Sequence, residues 1–280
     1  MALSVTEQAI FDSLRNTLVS ERTDIDRLNE IYQGVARLAQ LGLAIPPELQ
    51  RFTVMLDWGR TTVGAVETRL DVTGFRMPST GTPDQTLWDV WQYNNMDERQ
   101  TFAHTDALAL KRSYVCVGTN PDDSAYPIIT VESPREMIAA RDPRTHRVTC
   151  ALRLYGDQDQ YATLYLPNRT VWLVKGDNGL WVDQFEPDMH NLGAPPVHVL
   201  VNRNSATWLP GRITEGTSEM DLVIPISDSA SRAVTNTQLL QETMVAPARG
   251  ILGATKGDFV DQAGNPVSAW QAYFGAFLAS

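Results

Sequence analysis

RVTCALRLYGDQDQYATLYLPNRTVWLVK, residues 147–175, decides the fold. It holds three short runs rich in β-branched and aromatic residues, 147–155, 161–166 and 170–175. Gly156-Asp157 separates the first two, and Pro167-Asn168-Arg169 the last two. Strand-length apolar runs divided by tight turn chemistry predict an antiparallel meander with hairpins. Working outward, 113–117 and 127–132 read the same way around Asn120-Pro121-Asp122-Asp123, Asp177-Asn178-Gly179 marks a further turn, and 197–201 reads as one more strand. Ser133-Pro134-Arg135-Glu136 reads as a capping box with a short helix.

Helices flank this middle. Ser4 and Glu7 form a capping box ahead of Ile10, Leu14 and Leu18. A second amphipathic run holds Ile25, Leu28, Tyr32, Val35 and Leu38, fading at Gly42 before Pro46-Pro47. A third holds Trp58, Val63, Val66 and Leu70, and 77–83 reads as an exposed loop. Thr82, Pro83 and Gln85 predict a helix start, with Leu87, Val90, Trp91 and Asn94 on one face. A helix over 97–109 is expected to bury Phe102 and Leu108. Helices before and after an antiparallel sheet make the expected fold class α+β.

Beyond the sheet, Pro225 suits a first helical turn and Pro247 stops the pattern. At 1.5 Å per residue, a helix over 225–246 spans about 33 Å. Its broad apolar stripe is Val223, Ile226, Ala230, Ala233, Val234, Thr237, Leu240 and Met244. The opposite face carries Asp221, Asp228, Arg232, Thr235, Leu239 and Glu242. After a polar loop over 255–266, Trp270, Tyr273, Phe274, Phe277 and Leu278 return to helical spacing. An apolar run that ends at Ala279-Ser280 with no cap reads as part of a longer chain.

The chain has 280 residues, 43% of them hydrophobic, enough for a sizeable core. Its net charge is −10, from 33 acids against 23 bases. That balance argues against tight, salt-sensitive DNA binding, which needs clustered positive charge. Cys116 and Cys150 lie in strand-like runs and read as buried free thiols. No apolar run approaches a membrane span. The N-terminus lacks a basic region and an apolar core, so no signal peptide is expected, and synthesis is expected inside the cell.

Catalytic signals are sparse. There is no phosphate-binding glycine loop and no Gly-x-Ser-x-Gly elbow. The four histidines, His104, His146, His190 and His198, have no metal-ligand spacing. His104 and Asp106 could act as a general base and its orienting acid, yet residues two apart on a helix do not face each other. Trp58, Trp88, Trp91 and Trp270 read as core, and Trp181 and Trp208 lie near turns. Asn168-Arg169-Thr170 fits a glycosylation sequon but reads as a hairpin turn. No catalytic residue, cofactor or metal is assigned.

Several segments together resemble phage portal proteins of the SPP1 type, especially those of phages of actinobacteria. The matching strings are Ile31-Tyr32-Gln33-Gly34, Asp57-Trp58-Gly59-Arg60-Thr61-Thr62-Val63 and Arg69-Leu70-Asp71-Val72-Thr73-Gly74-Phe75. They continue through Leu87-Trp88-Asp89-Val90-Trp91-Gln92, His104-Thr105-Asp106-Ala107-Leu108 and Tyr114-Val115-Cys116-Val117-Gly118. Next come Ile129-Thr130-Val131-Glu132-Ser133-Pro134, Ala162-Thr163-Leu164-Tyr165-Leu166-Pro167 and Val199-Leu200-Val201-Asn202-Arg203, and 218–225 completes the set. Asp57 stands where the family pattern has Asn, and Gly64 where it has Asp.

The resemblance implies a wing domain over 1–218, a first stem helix over 219–247 and the start of a clip over 248–280. Family members continue through the rest of the clip, a second stem helix, a tunnel loop and a crown. It also implies a non-enzymatic homo-oligomeric ring, typically of twelve subunits, at one capsid vertex of the virion. Double-stranded DNA passes through such a ring without sequence-specific binding. Its partners would be the terminase large subunit, head completion or adaptor proteins, and the major capsid and scaffolding proteins, with no membrane. Helical phase then assigns Asp228, Arg232, Thr235, Leu239 and Glu242 to the channel or a subunit interface. Two rival readings stand beside it: a minor capsid or adaptor protein without a channel, and a hydrolase or transferase using His104 and Asp106.

Overall fold

A computed structural model describes residues 3–35, 54, 56, 58–78, 81–176, 178–203, 216–245, 260 and 265, with the side chains of 242–245 left aside. The chain divides into two compact units: Met1–Ala36 with Asp57–Ile224, and Arg37–Leu56 with Pro225–Ser280. The element order is α1 (Val5–Tyr32), α2 (Trp58–Glu67), α3 (Gln85–Tyr93), α4 (Met96–Leu110), β1 (Arg112–Gly118), β2 (Ile128–Glu132), β3 (Met137–Arg141), β4 (Val148–Tyr155), β5 (Tyr161–Tyr165), β6 (Thr170–Lys175), β7 (Trp181–Asp183), β8 (Val197–Val201) and α5 (Ile224–Val245). The fold is α+β, as expected.

The first two amphipathic runs form one helix. Nothing between Leu18 and Ile25 breaks it, for 19–24 contains neither Gly nor Pro. The Ser4–Glu7 capping box is present: the Glu7 N–H donates to Ser4 Oγ, and the Ser4 N–H donates to Glu7 Oε2 at 2.9 Å. Phe11, Leu14, Leu18, Ile25 and Leu28 form the buried stripe, each contributing about 1.5–3 kcal/mol. Val35 is exposed, and Leu38, Gly42 and Pro46-Pro47 lie outside the described residues.

The sheet is two sheets. β2-β1-β8 make a three-stranded antiparallel sheet, and β3-β4-β5-β6-β7 a five-stranded antiparallel meander. The short helix expected after Ser133 is not formed. A turn over 134–136 leads into β3 instead, and Glu136 turns its carboxylate to Arg153 at 3.1 Å. The Ala-rich sequence Met137-Ile138-Ala139-Ala140-Arg141 hid this strand, because alanine favours helix until pairing with β4 decides otherwise. β7 is three residues long, too short for a periodic signal.

Three cores build the first unit. Phe11, Leu14 and Leu18 of α1 pack on Leu152, Leu154, Leu164, Val171 and Leu173 of the five-stranded sheet. Trp181 closes this core, its ring 5.2 Å from Phe11 in an edge contact. Ile25 and Leu28 pack with Val63, Leu108, Leu110 and Met220. Tyr114, Cys116, Val197 and Val199 of the three-stranded sheet pack on Met137 and Ala151 at the β3–β4 side of the larger sheet. β4 therefore has cover on both faces, so its inner residues read as an apolar run and not as alternation. Both cysteines are free and buried, as expected.

Other expectations change. α3 begins two residues later than read, with Asp84 as its cap: the Leu87 N–H donates to Asp84 Oδ1 at 3.1 Å, and Pro83 bridges Arg76. Trp58 is exposed, and Trp88 and Trp91 are half-buried in a small cluster with Phe75, so none of the three is deep core. Phe102 is exposed, because α4 turns Ala103, Ala107 and Leu110 inward. Asn168 and Arg169 sit in the β5–β6 hairpin, as read, and the Leu166 N–H donates to the Arg169 carbonyl at 2.9 Å. Trp208, Trp270 and the apolar run to Leu278 lie outside the described residues.

Candidate functional site

α5 spans 22 residues. Three hydroxyls one turn apart define its buried side. Ser227 Oγ donates to the Leu56 carbonyl at 2.7 Å. The Leu56 N–H donates to Ser231 Oγ at 3.1 Å, and the Val54 N–H donates to Thr235 Oγ1 at 3.1 Å. Ser231 and Thr235 are both 0% exposed. Spacing of i, i+4 and i+8 aligns the hydroxyls along one face, where they satisfy backbone groups of Val54 and Leu56.

This reverses the orientation expected from polarity alone. Thr235, assigned to a channel or interface face, is buried, its hydroxyl accepting from the Val54 N–H. Asp228 and Leu239 are half-buried, Arg232 is exposed, and the Glu242 side chain lies outside the described residues. Much of the apolar stripe is exposed instead: Ile226 is 61% exposed, Leu240 54%, and Val234 also exposed, while Val223 and Ala230 are half-buried. The cause is hydrogen bonding. The backbone groups of Val54 and Leu56 need partners, and small hydroxyl side chains admit them closely where Ile or Leu would hold them away.

Charge in the first unit is organised along α1. Glu7 pairs with Arg169 at 2.5 Å, Arg22 with Asp159 at 2.7 Å and Asp26 with Arg135 at 2.7 Å. Glu21 pairs with the buried Arg112. Burial pushes the Glu7 carboxyl up, but hydrogen bonds from Arg169 and Ser4 outweigh it and hold the group below its ordinary value. A second knot joins the sheets: Arg153 reaches Glu132 at 2.9 Å and Glu136 at 3.1 Å, stacked over the Tyr155 ring. Burial pushes Glu132 up despite Arg153. Beside it, burial pushes the Cys116 thiol up to about 12, which keeps it protonated and unreactive.

His104 and Asp106 do not form a working pair. His104 Nδ1 is buried without a hydrogen-bond partner, and Asp106 bonds Ser133 instead, its carboxyl raised by burial. Among the described residues no three His, Cys, Asp or Glu side chains gather as a metal site, and no helix is long and apolar enough to cross a membrane.

A family model described as phage portal protein, SPP1 Gp6-like, matches residues 13–270. The portal protein of Mycobacterium phage D29 is 31% identical over 279 residues, covering 96% of this chain and 55% of that protein. The portal protein of Mycobacterium phage L5 is 33% identical over 267 residues, covering 91% of this chain and 53% of that protein. The chain thus spans about half the length of the curated relatives it matches. With a family match over nearly the whole sequence, the chain belongs to the SPP1 Gp6-like family of phage portal proteins.

Proposed function

We propose that this chain is the subunit of a homo-oligomeric ring, of twelve copies, at one vertex of a phage capsid. Double-stranded DNA passes through the ring during packaging and ejection. The ring docks the terminase large subunit, then the head completion or adaptor proteins, and sits among major capsid and scaffolding proteins. The chain makes and breaks no bonds in this role.

The observation that carries the reading is the outward apolar face of α5, taken with family membership. Ile226, Val234 and Leu240 are exposed on a helix whose hydroxyl side is already satisfied. Water-exposed isoleucine and leucine on one long helix favour a neighbouring subunit, and closed symmetry supplies one for every copy. Net charge supports passage over gripping: of 23 bases only three are Lys, against 33 acids. Each phosphate contact would add affinity through counterion release and slow a moving duplex.

Electron microscopy of the purified chain tests this. Rings with a central hole are the expected result; monomers or irregular clusters would overturn it. Ile226→Ser should reduce the ring fraction at least several-fold while changing unfolding stability by less than about 0.5 kcal/mol, as for other surface substitutions.

A further inference from the structure

The five-stranded sheet is covered unevenly. α1 lies on one face, and the three-stranded sheet covers the other at β3, β4 and the Tyr165 end of β5, through Met137, Ala151 and Tyr165. At the β6–β7 side of that second face, Trp172 and Phe185 meet ring to edge at 6.5 Å. Leu180, Val182, Phe185, Met189 and Leu192 are each between 50% and 64% exposed. Residues 180–192 contain Asp183, Glu186 and Asp188 and no Lys or Arg. Glu186 is exposed, and it forms no ion pair among the described residues. Among the described residues β7 is also an edge strand, paired to β6 alone.

The other edge has the opposite character. The hairpin between β3 and β4 presents Arg144, His146 and Arg147, all exposed, and neither arginine forms an ion pair among the described residues. Asp142 spends its carboxylate inside the turn, accepting from the backbone N–H groups of Arg144 at 2.9 Å and Thr145 at 2.7 Å. In a meander the turns alternate ends, so the β3–β4 and β5–β6 turns share one end of the sheet. The segment after β7 returns to that same end: the Asp188 N–H donates to the Thr170 carbonyl at 3.0 Å, and the Asn191 N–H donates to the Asn168 carbonyl at 3.0 Å. The basic hairpin and the part of the acidic apolar patch that follows β7 thus lie at the same end of the sheet, on opposite edges, about 19 Å apart across the strands at the usual strand spacing.

We infer that two copies of this chain join head to tail across these edges, the Arg144–Arg147 hairpin of one seated on the Leu180–Leu192 surface of the next. A two-fold pairing of the patch with itself would set Glu186 against its own copy, and the hairpin with itself would set arginine on arginine; both are repulsive. Displaced complementary surfaces make a heterologous contact, which propagates and closes when the rotation permits. Arginine suits the patch, since its stem can lie on Phe185 and Met189 while the guanidinium reaches Glu186. The inference rests on the ring reading and names a contact within it.

Charge reversal in the full chain, followed by sedimentation velocity over a concentration series, is the test. Arg144→Glu and Glu186→Lys should each weaken self-association at least tenfold, and combining them in one chain should restore it. Single variants that associate like the wild type, or a double variant that stays weak, would overturn the inference. If those single variants still form holed rings, the edges are wrong and the ring stands. If the wild type stays monomeric throughout, both fall. A cysteine pair, Arg144→Cys with Glu186→Cys, gives a second measurement that does not depend on charge. Oxidation should yield a ladder of linked multimers, because the two positions are too far apart to join within one copy; the absence of a ladder would count against the contact.

Discussion

α1 and α5 are both long helices of mixed surface, and they are satisfied in opposite ways. α1 turns Phe11, Leu14, Leu18, Ile25 and Leu28 inward and holds its charges in ion pairs along its flanks. α5 turns Ser231 and Thr235 inward and leaves Ile226 and Leu240 in water. The apolar stripe of α1 finds its partners inside the same unit, while Ile226, Val234 and Leu240 of the α5 stripe stay exposed. A hydrophobic stripe therefore marks a surface that some partner covers, and not which molecule supplies that partner.

The largest test strikes the α1 side of this comparison. Leu164→Ala, under α1 at 0% exposure, should cost about 2–5 kcal/mol in urea unfolding. A cost under about 1 kcal/mol would mean that the core beneath α1 is no better filled than the α5 stripe.

Arg153→Met comes next, at about 3 kcal/mol, because it strands the buried Glu132 carboxylate. The sign with pH is definite. Glu132 is already raised by burial, and loss of Arg153 raises it further. A raised carboxyl contributes stability below its unfolded value and loses it as pH rises through the folded value. The deficit of the variant should shrink as pH falls from 7 toward the ordinary carboxylate range, read from unfolding midpoints across pH.

Thr235→Val keeps the shape and removes the hydroxyl, leaving the Val54 N–H unsatisfied. The expected cost is about 1–3 kcal/mol, with faster hydrogen exchange at the Val54 amide. Unchanged exchange there would dissolve the contrast between the two helices, since α5 would then not depend on its hydroxyl ladder.

The smallest effect belongs to the start of α1. Glu7 is held below its ordinary value, so its contribution is present above the unfolded pKa and lost as pH falls through the folded one. Ser4→Ala should cost about 1 kcal/mol at pH 7 and flatten that acid-side loss, measured by thermal unfolding at pH 7 and pH 3.

The strands of the meander were legible because residues 148–155, 161–165 and 170–175 carry β-branched and aromatic residues between strong turn signals. β3 was not, since Ala139 and Ala140 carry no strand signal and Ser133–Glu136 imitates a helix cap. α5 was legible as a helix to within a residue at either end, but its inner face was not. Val54 and Leu56, which claim Ser227, Ser231 and Thr235, lie 171 to 181 residues earlier in the chain. The hairpin and patch edges were equally silent, because Arg144 and Glu186 acquire opposite places only when four intervening pairings build the sheet.

By itself the sequence determined the fold class, the length of α5, the burial of both cysteines and the resemblance to phage portal proteins. Those features depend on local periodicity, turn chemistry and residue type, which act over a few residues. Only the tertiary structure decided that there are two sheets, that α5 buries its hydroxyls and that the larger sheet has unlike edges. Pairing and burial join residues far apart in the chain, and a side chain's polarity says what contact would suit it without saying which contact it obtains.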